Sequence, residues 1–360
     1  MNARLLLLLS AFAVCACTPA NDGLALQVDY LKRLSNALDV EPAVNFDVAE
    51  LVRYRLPARR ERLIEIPELR ISLLALLVEA RHCPALQQQI SLRNNSLGKQ
   101  LTPSSRLAYE GDLLRALDSC SEYLRKQEQG ELRGTLEQLA QDKREQLPAV
   151  FWNALNASPE VERYLRFANQ ALPVGAPEDS AAQDALAQLA GIGSALPAVL
   201  PPSAAQLDPL FFALHASDQG GQLISSLASL THSLNQASQM LDSRQQQRPV
   251  CPTGRATERG RILQNIFVKY YAGSMQPYLA QADQRGQAWS DSLRRLARVA
   301  QVPNATRQYL ERLSADEHSL WAGFQQATVR HVRSWQDLLN SCGLAPGQSG
   351  WNGNAANADQ

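Results

Sequence analysis

Charge of one sign is missing from this sequence: 35 Lys and Arg are balanced by 35 Asp and Glu among 360 residues. A nucleic-acid partner normally demands a basic surplus to meet its phosphates, so the balance argues against that class. Long hydrophobic runs are missing too. Past the first 16 residues, the longest apolar stretch covers 71–78 and stops at Glu79, well short of the roughly 20 residues that span a bilayer. Alternation of apolar and polar residues, the mark of half-buried strands, is scarce. Motifs for catalysis are absent: there is no H-E-x-x-H, G-x-S-x-G, Walker A loop or dinucleotide fingerprint. Neither C-x-x-C nor clustered Cys/His spacing offers a zinc site, so no metal and no other cofactor is expected.

What is present begins at the amino terminus. Met1-Asn2-Ala3-Arg4 carries one positive charge, and 5–14 is mostly apolar, the proportions of a secretory signal peptide. Val14-Cys15-Ala16-Cys17 resembles the lipobox of bacterial lipoprotein signals: a branched aliphatic three positions before the modified cysteine and a small residue immediately before it. The resemblance implies a signal peptide over 1–16, lipid transfer to the Cys17 thiol, cleavage before it and acylation, as by palmitate, of the new amino terminus. Cys15 fits less well, because Val14 before it is larger than the pattern prefers. An ordinary secretory leader that happens to contain cysteine is the alternative. Thr18 stands where inner-membrane retention usually has Asp, so the expected destination is the periplasmic face of the outer membrane, ahead of the inner membrane. Residues 17–23 form the whole tether. At no more than about 3.5 Å per extended residue, it keeps the body within roughly 20 Å of the lipid surface.

Four cysteines remain: Cys83, Cys120, Cys251 and Cys342. An even number in an exported chain favours disulfides, because the periplasm is oxidising. Of three connectivities, Cys83–Cys120 with Cys251–Cys342 is preferred, since each bridge then staples one half of the chain. A metal site or buried free thiols are the alternatives.

The remainder reads as helices, giving an all-α or nearly all-α class with a multi-helix globular body in two halves. In the first half, 24–171, Leu24, Val28, Leu31, Leu34 and Leu38 recur at helical spacing. Pro67 can open a helix carrying Leu69, Leu73 and Leu76, which Cys83-Pro84 closes. Thr102-Pro103 predicts an N-cap and first turn for a helix with Leu107, Leu114, Leu117 and Leu124, in which Gly111 allows a neighbour to approach closely. Residues 172–209 are rich in Pro, Gly, Ala and Ser and read as a linker or crossover with one short helix near 181–190. In the second half, 210–343, Leu223, Leu227, Leu230, Leu234, Ala237 and Leu241 form a heptad-like stripe beside faces of Ser, Gln and Asn. A capping box is expected at Ser314-Ala315-Asp316-Glu317, opening a last helix with Trp321, Phe324, His331, Trp335 and Cys342 on one side. The tail over 344–360 is expected to be disordered.

Two stretches offer chemistry. The first covers 93–110 and includes Arg93, Asn94, Ser96, Lys99, Arg106, Tyr109 and Glu110. Its Arg, Lys and Asn side chains suit an anionic or sugar ligand, and Ser96 with Lys99 matches S-x-x-K, in which lysine activates serine. The partner motifs of that chemistry are lacking, and the plainer reading is a loop whose Asn and Ser side chains cap neighbouring helices. The second holds Arg53, Arg55, Arg59, Arg60 and Arg62, five arginines in ten residues. They could meet lipid phosphates on a body held near the membrane; the plainer reading is a solvated turn with internal ion pairs. His331, on an apolar stripe, reads as a hydrogen-bonded core residue rather than a base. His82, His215, His232 and His318 lack ligand spacing.

Several of these pieces together resemble a family of predicted Gram-negative lipoproteins, domain of unknown function three thousand and eighty. They are Tyr30-Leu31-x-Arg33-Leu34-x-Asn36-x-Leu38, the 93–99 loop, Arg106-Leu107-x-Tyr109-Glu110, Cys251-Pro252, Gln276-Pro277-Tyr278-Leu279, and His331-Val332-x-x-Trp335 through Cys342-Gly343. The resemblance supports the lipoprotein reading and brings no reaction, substrate or catalytic residue. The expected function is a membrane-anchored, non-enzymatic interaction module at the outer membrane, bound to the bilayer through Cys17 and to an envelope protein, an anionic lipid or cell-wall glycan. A cell-wall or lipid-modifying hydrolase using 93–110 and a carrier of an apolar ligand are the alternatives.

Overall fold

The computed structural model describes residues 22–67, 81–94 and 100–352. The anchor expected at Cys17, the helix expected over 69–80, the residues Ser96 and Lys99, and the tail beyond 352 lie outside the described residues. Among the described residues all regular structure is helical.

Helix α1 (Gly23–Leu38) opens on Asp22, whose carboxylate accepts from the Leu24 N–H at 2.9 Å. Its buried face is rotated from the expected stripe: Gln27, Tyr30, Leu31, Leu34 and Leu38 are buried, whereas Val28 is exposed. The reason is polar. Gln27 Nε2 donates to Ser229 Oγ at 3.1 Å, and Ser233 Oγ donates to Gln27 Oε1 at 3.0 Å, so the amide is matched by serines of the helix it faces.

A 3₁₀ turn over Val48–Tyr54 and a single-turn helix α2 (Arg59–Arg62) follow, then α3 (Pro84–Asn94), α4 (Pro103–Lys126) and α5 (Gly130–Ala157). Pro84 opens α3, its missing N–H being one that a first turn leaves unused. Arg93 and Asn94 thus end a helix rather than begin a loop. Thr102 caps α4 as expected, accepting from the Ser105 N–H. Gly111 is needed there, since a Cβ would lie 2.5 Å from the Pro201 carbonyl oxygen. Helices α4 and α5 lie side by side across a three-residue connection. After α6 (Pro159–Leu165), the segment expected as a linker or crossover carries α7 (Ser180–Ala195) and the start of α8 (Ala204–Ala216). Ala182, Leu186, Leu189 and Leu207 bury these elements in the same core as the helices on either side.

Helix α9 (Gln219–Gln247) has every member of its heptad-like stripe buried. Its serine faces are buried too, at Ser225, Ser226, Ser229, Ser233 and Ser238. Small hydroxyls permit close packing because they find acceptors locally, as when Ser238 Oγ donates to the Leu234 carbonyl at 2.7 Å. Helix α13 (Leu320–Ser341) packs along α9, with α10 (Glu258–Ile266), α11 (Gln276–Ala297) and α12 (Asn304–Ser314) completing this part. Between α10 and α11 lies a π-helical stretch, Phe267–Met275. Pro277 accounts for it: its ring would clash with the carbonyl four residues back in a regular helix, and a widened turn relieves this. The Gln276 N–H accordingly bonds five residues back, to the Tyr271 carbonyl.

Two boundaries differ from expectation. The capping box at 314–317 does not form. Ser314 ends α12 with its hydroxyl on the Leu310 carbonyl, Asp316 pairs with Arg294 at 3.3 Å, and α13 is capped by Ser319 on the Ala322 N–H. The described part of the tail, 344–352, is packed on the body. Leu344 and Ala345 are buried, Gln264 Nε2 donates to the Leu344 carbonyl at 3.1 Å, and Trp351 packs on Phe267 with ring centroids 6.2 Å apart.

Both preferred disulfides are present. Cys83–Cys120 fastens α3 to α4, and Cys251–Cys342 fastens the segment before α10 to the end of α13. They span 37 and 91 residues, for which loop closure in the unfolded chain corresponds to about 4 and about 5 kcal/mol.

Candidate functional site

Arg93, Arg106, Tyr109 and Glu110 of the 93–110 stretch share one neighbourhood, and the polar atoms of Tyr109 and Glu110 are engaged within the fold. The Tyr109 hydroxyl donates to the Gln89 carbonyl at 3.2 Å. Burial pushes its pKa up to about 12, with the adjacent Glu110 adding to the rise and Arg93 and Arg106 opposing it. Glu110 is only 2% exposed and forms an ion pair with Lys143 of α5 at 3.0 Å. This pair sits at the α4–α5 interface, where removing either charge would strand the other. Asn94 is the last residue of α3.

The five arginines of 53–62 separate. Arg53 pairs with Glu50 at 3.7 Å and lies over the Tyr54 ring, and Arg60 is exposed. Arg62 turns inward. At 3% exposure its guanidinium donates to the carbonyls of Pro57 and Asn156 and to Glu162 Oε2, the last at 3.0 Å. Two asparagines one helical turn apart on α5 clamp the backbone that follows. Asn156 Nδ2 donates to the Arg62 carbonyl, while Asn153 both accepts from the Ile64 N–H and donates to the Ile64 carbonyl, all at 2.8 Å. The segment ending at Arg62 is thereby fixed against α5 and α6.

That fixing builds a groove. Arg55 and Arg59 form one wall, and Arg163 and Arg166, from α6 and its end, form another. The segment 167–170 and the start of α9 complete two adjoining hollows of about 690 and 720 Å³, open to solvent. Five arginines meet two carboxylates here, Glu162 and Asp218. Glu162 is shared between Arg62 and Arg166, and Asp218 pairs with Arg163 at 2.8 Å. Arg55 and Arg59 have no ion-pair partner among the described residues. Of the anion-contact set, the groove therefore uses Arg55, Arg59 and Arg62. Sequence reading missed Arg163 and Arg166. The available signal was their spacing beside Val161, Tyr164 and Phe167, which places them off the apolar face of one short helix.

His331 lies in a third polar cluster, wholly buried. Its proton can be placed by elimination. Trp335 Nε1–H can only donate, and the Tyr30 hydroxyl oxygen receives it at 2.8 Å. The Tyr30 O–H then donates to His331 Nε2 at 2.7 Å, making that nitrogen an acceptor. The imidazole proton sits on Nδ1 and donates to Ser238 Oγ at 3.2 Å. Burial pushes the His331 pKa down to about 3, so the ring is neutral near pH 7 and serves as a hydrogen-bond relay between α1, α9 and α13. The π-helical stretch brings Phe267 and Tyr271 onto the same rings, with Tyr271 and His331 centroids 4.9 Å apart and Phe267 and Trp335 centroids 5.3 Å apart. Pieces separated in the sequence, Tyr30 near one end and His331 to Trp335 near the other, thus meet in one node.

Among the described residues no group of His, Cys, Asp and Glu is arranged to hold a metal ion, and no helix is long and apolar enough to cross a membrane. No curated protein and no solved structure matches the chain. Residues 27–346, from within α1 to the packed start of the tail, match the family model described as Protein of unknown function (DUF3080), and the chain belongs to that family.

Proposed function

We propose that this protein is a lipoprotein on the periplasmic face of the outer membrane, anchored through acylated Cys17, whose helical body acts as a non-enzymatic interaction module for an envelope partner. The observation that carries the reading is Val14-Cys15-Ala16-Cys17 directly after an apolar leader. The two disulfides agree with an oxidising compartment. Three acyl chains would make attachment effectively permanent, where one alone binds only marginally. The interaction reading gains from how the chemistry-bearing side chains are used. Tyr109 and Glu110 are committed to Gln89 and Lys143, and His331 is a neutral relay, whereas the arginine groove presents unpaired charge to solvent.

Labelling with palmitate followed by membrane fractionation tests the anchor. The wild-type chain is expected to take up label and fractionate with the outer membrane, and Cys17→Ala to do neither. A Cys17→Ala chain that still incorporates palmitate and stays with membranes overturns the assignment. Crosslinking in the intact envelope tests the module, and recovery of no specific partner counts against it.

A further inference from the structure

We infer that the groove between Arg55–Arg59 and Arg163–Arg166 binds the headgroup phosphate of an anionic phospholipid in the membrane to which the chain is tethered. The inference rests on the lipid-anchor reading above for its geometry, and on the groove itself for its chemistry.

The geometry follows from where α1 begins. Gly23, the first residue of α1, lies directly against the 172 backbone: a Cβ on Gly23 would be 2.6 Å from the Leu172 carbonyl oxygen. Gln170, two residues earlier, lines the groove. Consecutive Cα atoms are 3.8 Å apart, so the groove wall stands within about 15 Å of the point where the tether enters the fold. The contact is rigid. Leu172 donates its N–H to Ser226 Oγ at 2.7 Å, its carbonyl accepts from the Tyr278 hydroxyl at 2.8 Å, and the Ala168 N–H bonds the Gly221 carbonyl at 3.1 Å. A tether of at most about 20 Å therefore holds this end of the molecule, rather than the far ends of α1 and α9, next to the lipid surface.

The chemistry points to phosphate. Guanidinium groups bind phosphate through paired N–H donors, and Arg is favoured where that geometry matters. Arg55 and Arg59 are exposed and unpaired among the described residues, while Arg163 and Arg166 are held at the groove by Asp218 and Glu162. The amides of Asn169 and Gln222 offer donors and acceptors for a glycerol headgroup, and Phe167 supplies an apolar edge where acyl chains begin. A groove open to solvent suits a ligand that stays embedded in a bilayer while its headgroup enters.

The test uses the mature chain, residues 17–360, carrying Cys17→Ala, so that headgroup binding is read without the apolar leader or the acyl anchor. It is co-sedimented with vesicles of phosphatidylcholine alone and of phosphatidylcholine with phosphatidylglycerol. Binding to the anionic vesicles only is expected, and Arg55→Ala/Arg59→Ala should weaken it by about thirtyfold, near fivefold for each charge. Arg59→Glu, also a change of two charges, should weaken it by about thirtyfold as well, with the thermal unfolding midpoint of each variant showing that the fold persists. Equal binding to both vesicles, or unchanged binding by the folded double variant, overturns the inference. So does competition by inorganic phosphate at matched phosphate concentration, which would identify a soluble anion as the ligand. The mass of the wild-type chain purified from membranes reports acylation independently, so failure of the anchor reading and failure of the groove register as different results.

Discussion

The His331 node and the arginine groove lie along one helix, about 25 Å apart between Gly221 and Ser238 of α9, and they treat polar groups in opposite ways. In the node, Trp335, Tyr30, His331 and Ser238 pass donors to acceptors in a single consistent order with water excluded. In the groove, arginines outnumber carboxylates and two of them face solvent unpaired. A closed network rigidifies and contributes to stability; an open surplus of charge contributes little to folding and remains available to a ligand. The difference separates a part of the molecule that holds it together from the part proposed above to bind.

Substitutions can break that distinction. The largest effect is expected from Trp335→Ala, which empties a buried indole site and should cost about 3–5 kcal/mol by urea unfolding. Arg59→Ala should stay within about 0.5 kcal/mol, as an exposed residue without an ion-pair partner among the described residues; comparable losses for the two would refute the contrast. Arg62→Ala is the crossing case, since it lines the groove but is buried like the core. It should cost about 3 kcal/mol, the remaining Glu162 charge still being met by Arg166. His331 has its pKa near 3 in the fold and about 6.5 when unfolded, so the unfolded chain gains the proton first as pH falls. The stability His331 contributes is complete above pH 6.5 and declines below it by about 1.4 kcal/mol per pH unit. Unfolding measured across that range should show a shallower acid slope in His331→Gln than in wild type. The smallest effect in the node belongs to Tyr30→Phe, at about 1 kcal/mol. Trp335 Nε1 already lies 3.1 Å from His331 Nε2 and can donate to it directly.

Much of the fold was legible because leucine spacing reports burial whatever the neighbours are. The stripe of α9, the Thr102-Pro103 start of α4 and the close approach at Gly111 all follow from local rules. Other features depended on what stands opposite. Gln27 is buried because Ser229 and Ser233 meet it, and the serine faces of α9 look solvated until their acceptors are known. Ser314 and Ser319 are equally good caps by identity, and the choice between them fell to Ser314 bonding back within α12. At the groove, the dense arginines of 53–62 were visible in the sequence, whereas the inward turn of Arg62 and the facing Arg163 and Arg166 arise only when α2, α6 and the start of α9 converge.

The way α1 is seated also bears on force. Gln27 meets Ser229 and Ser233, while the carbonyl of Leu38 accepts from Arg244 at 3.0 Å and from Arg259 at 3.1 Å. Matching positions rise together along both helices, so α1 and α9 run parallel. On the lipid-anchor reading proposed above, a pull on the amino terminus of α1 would load it along its axis and strain these bonds together in shear, instead of peeling them one at a time. If the chain is anchored as proposed, tension from the anchor would pass into the centre of the body before the first helix unravels.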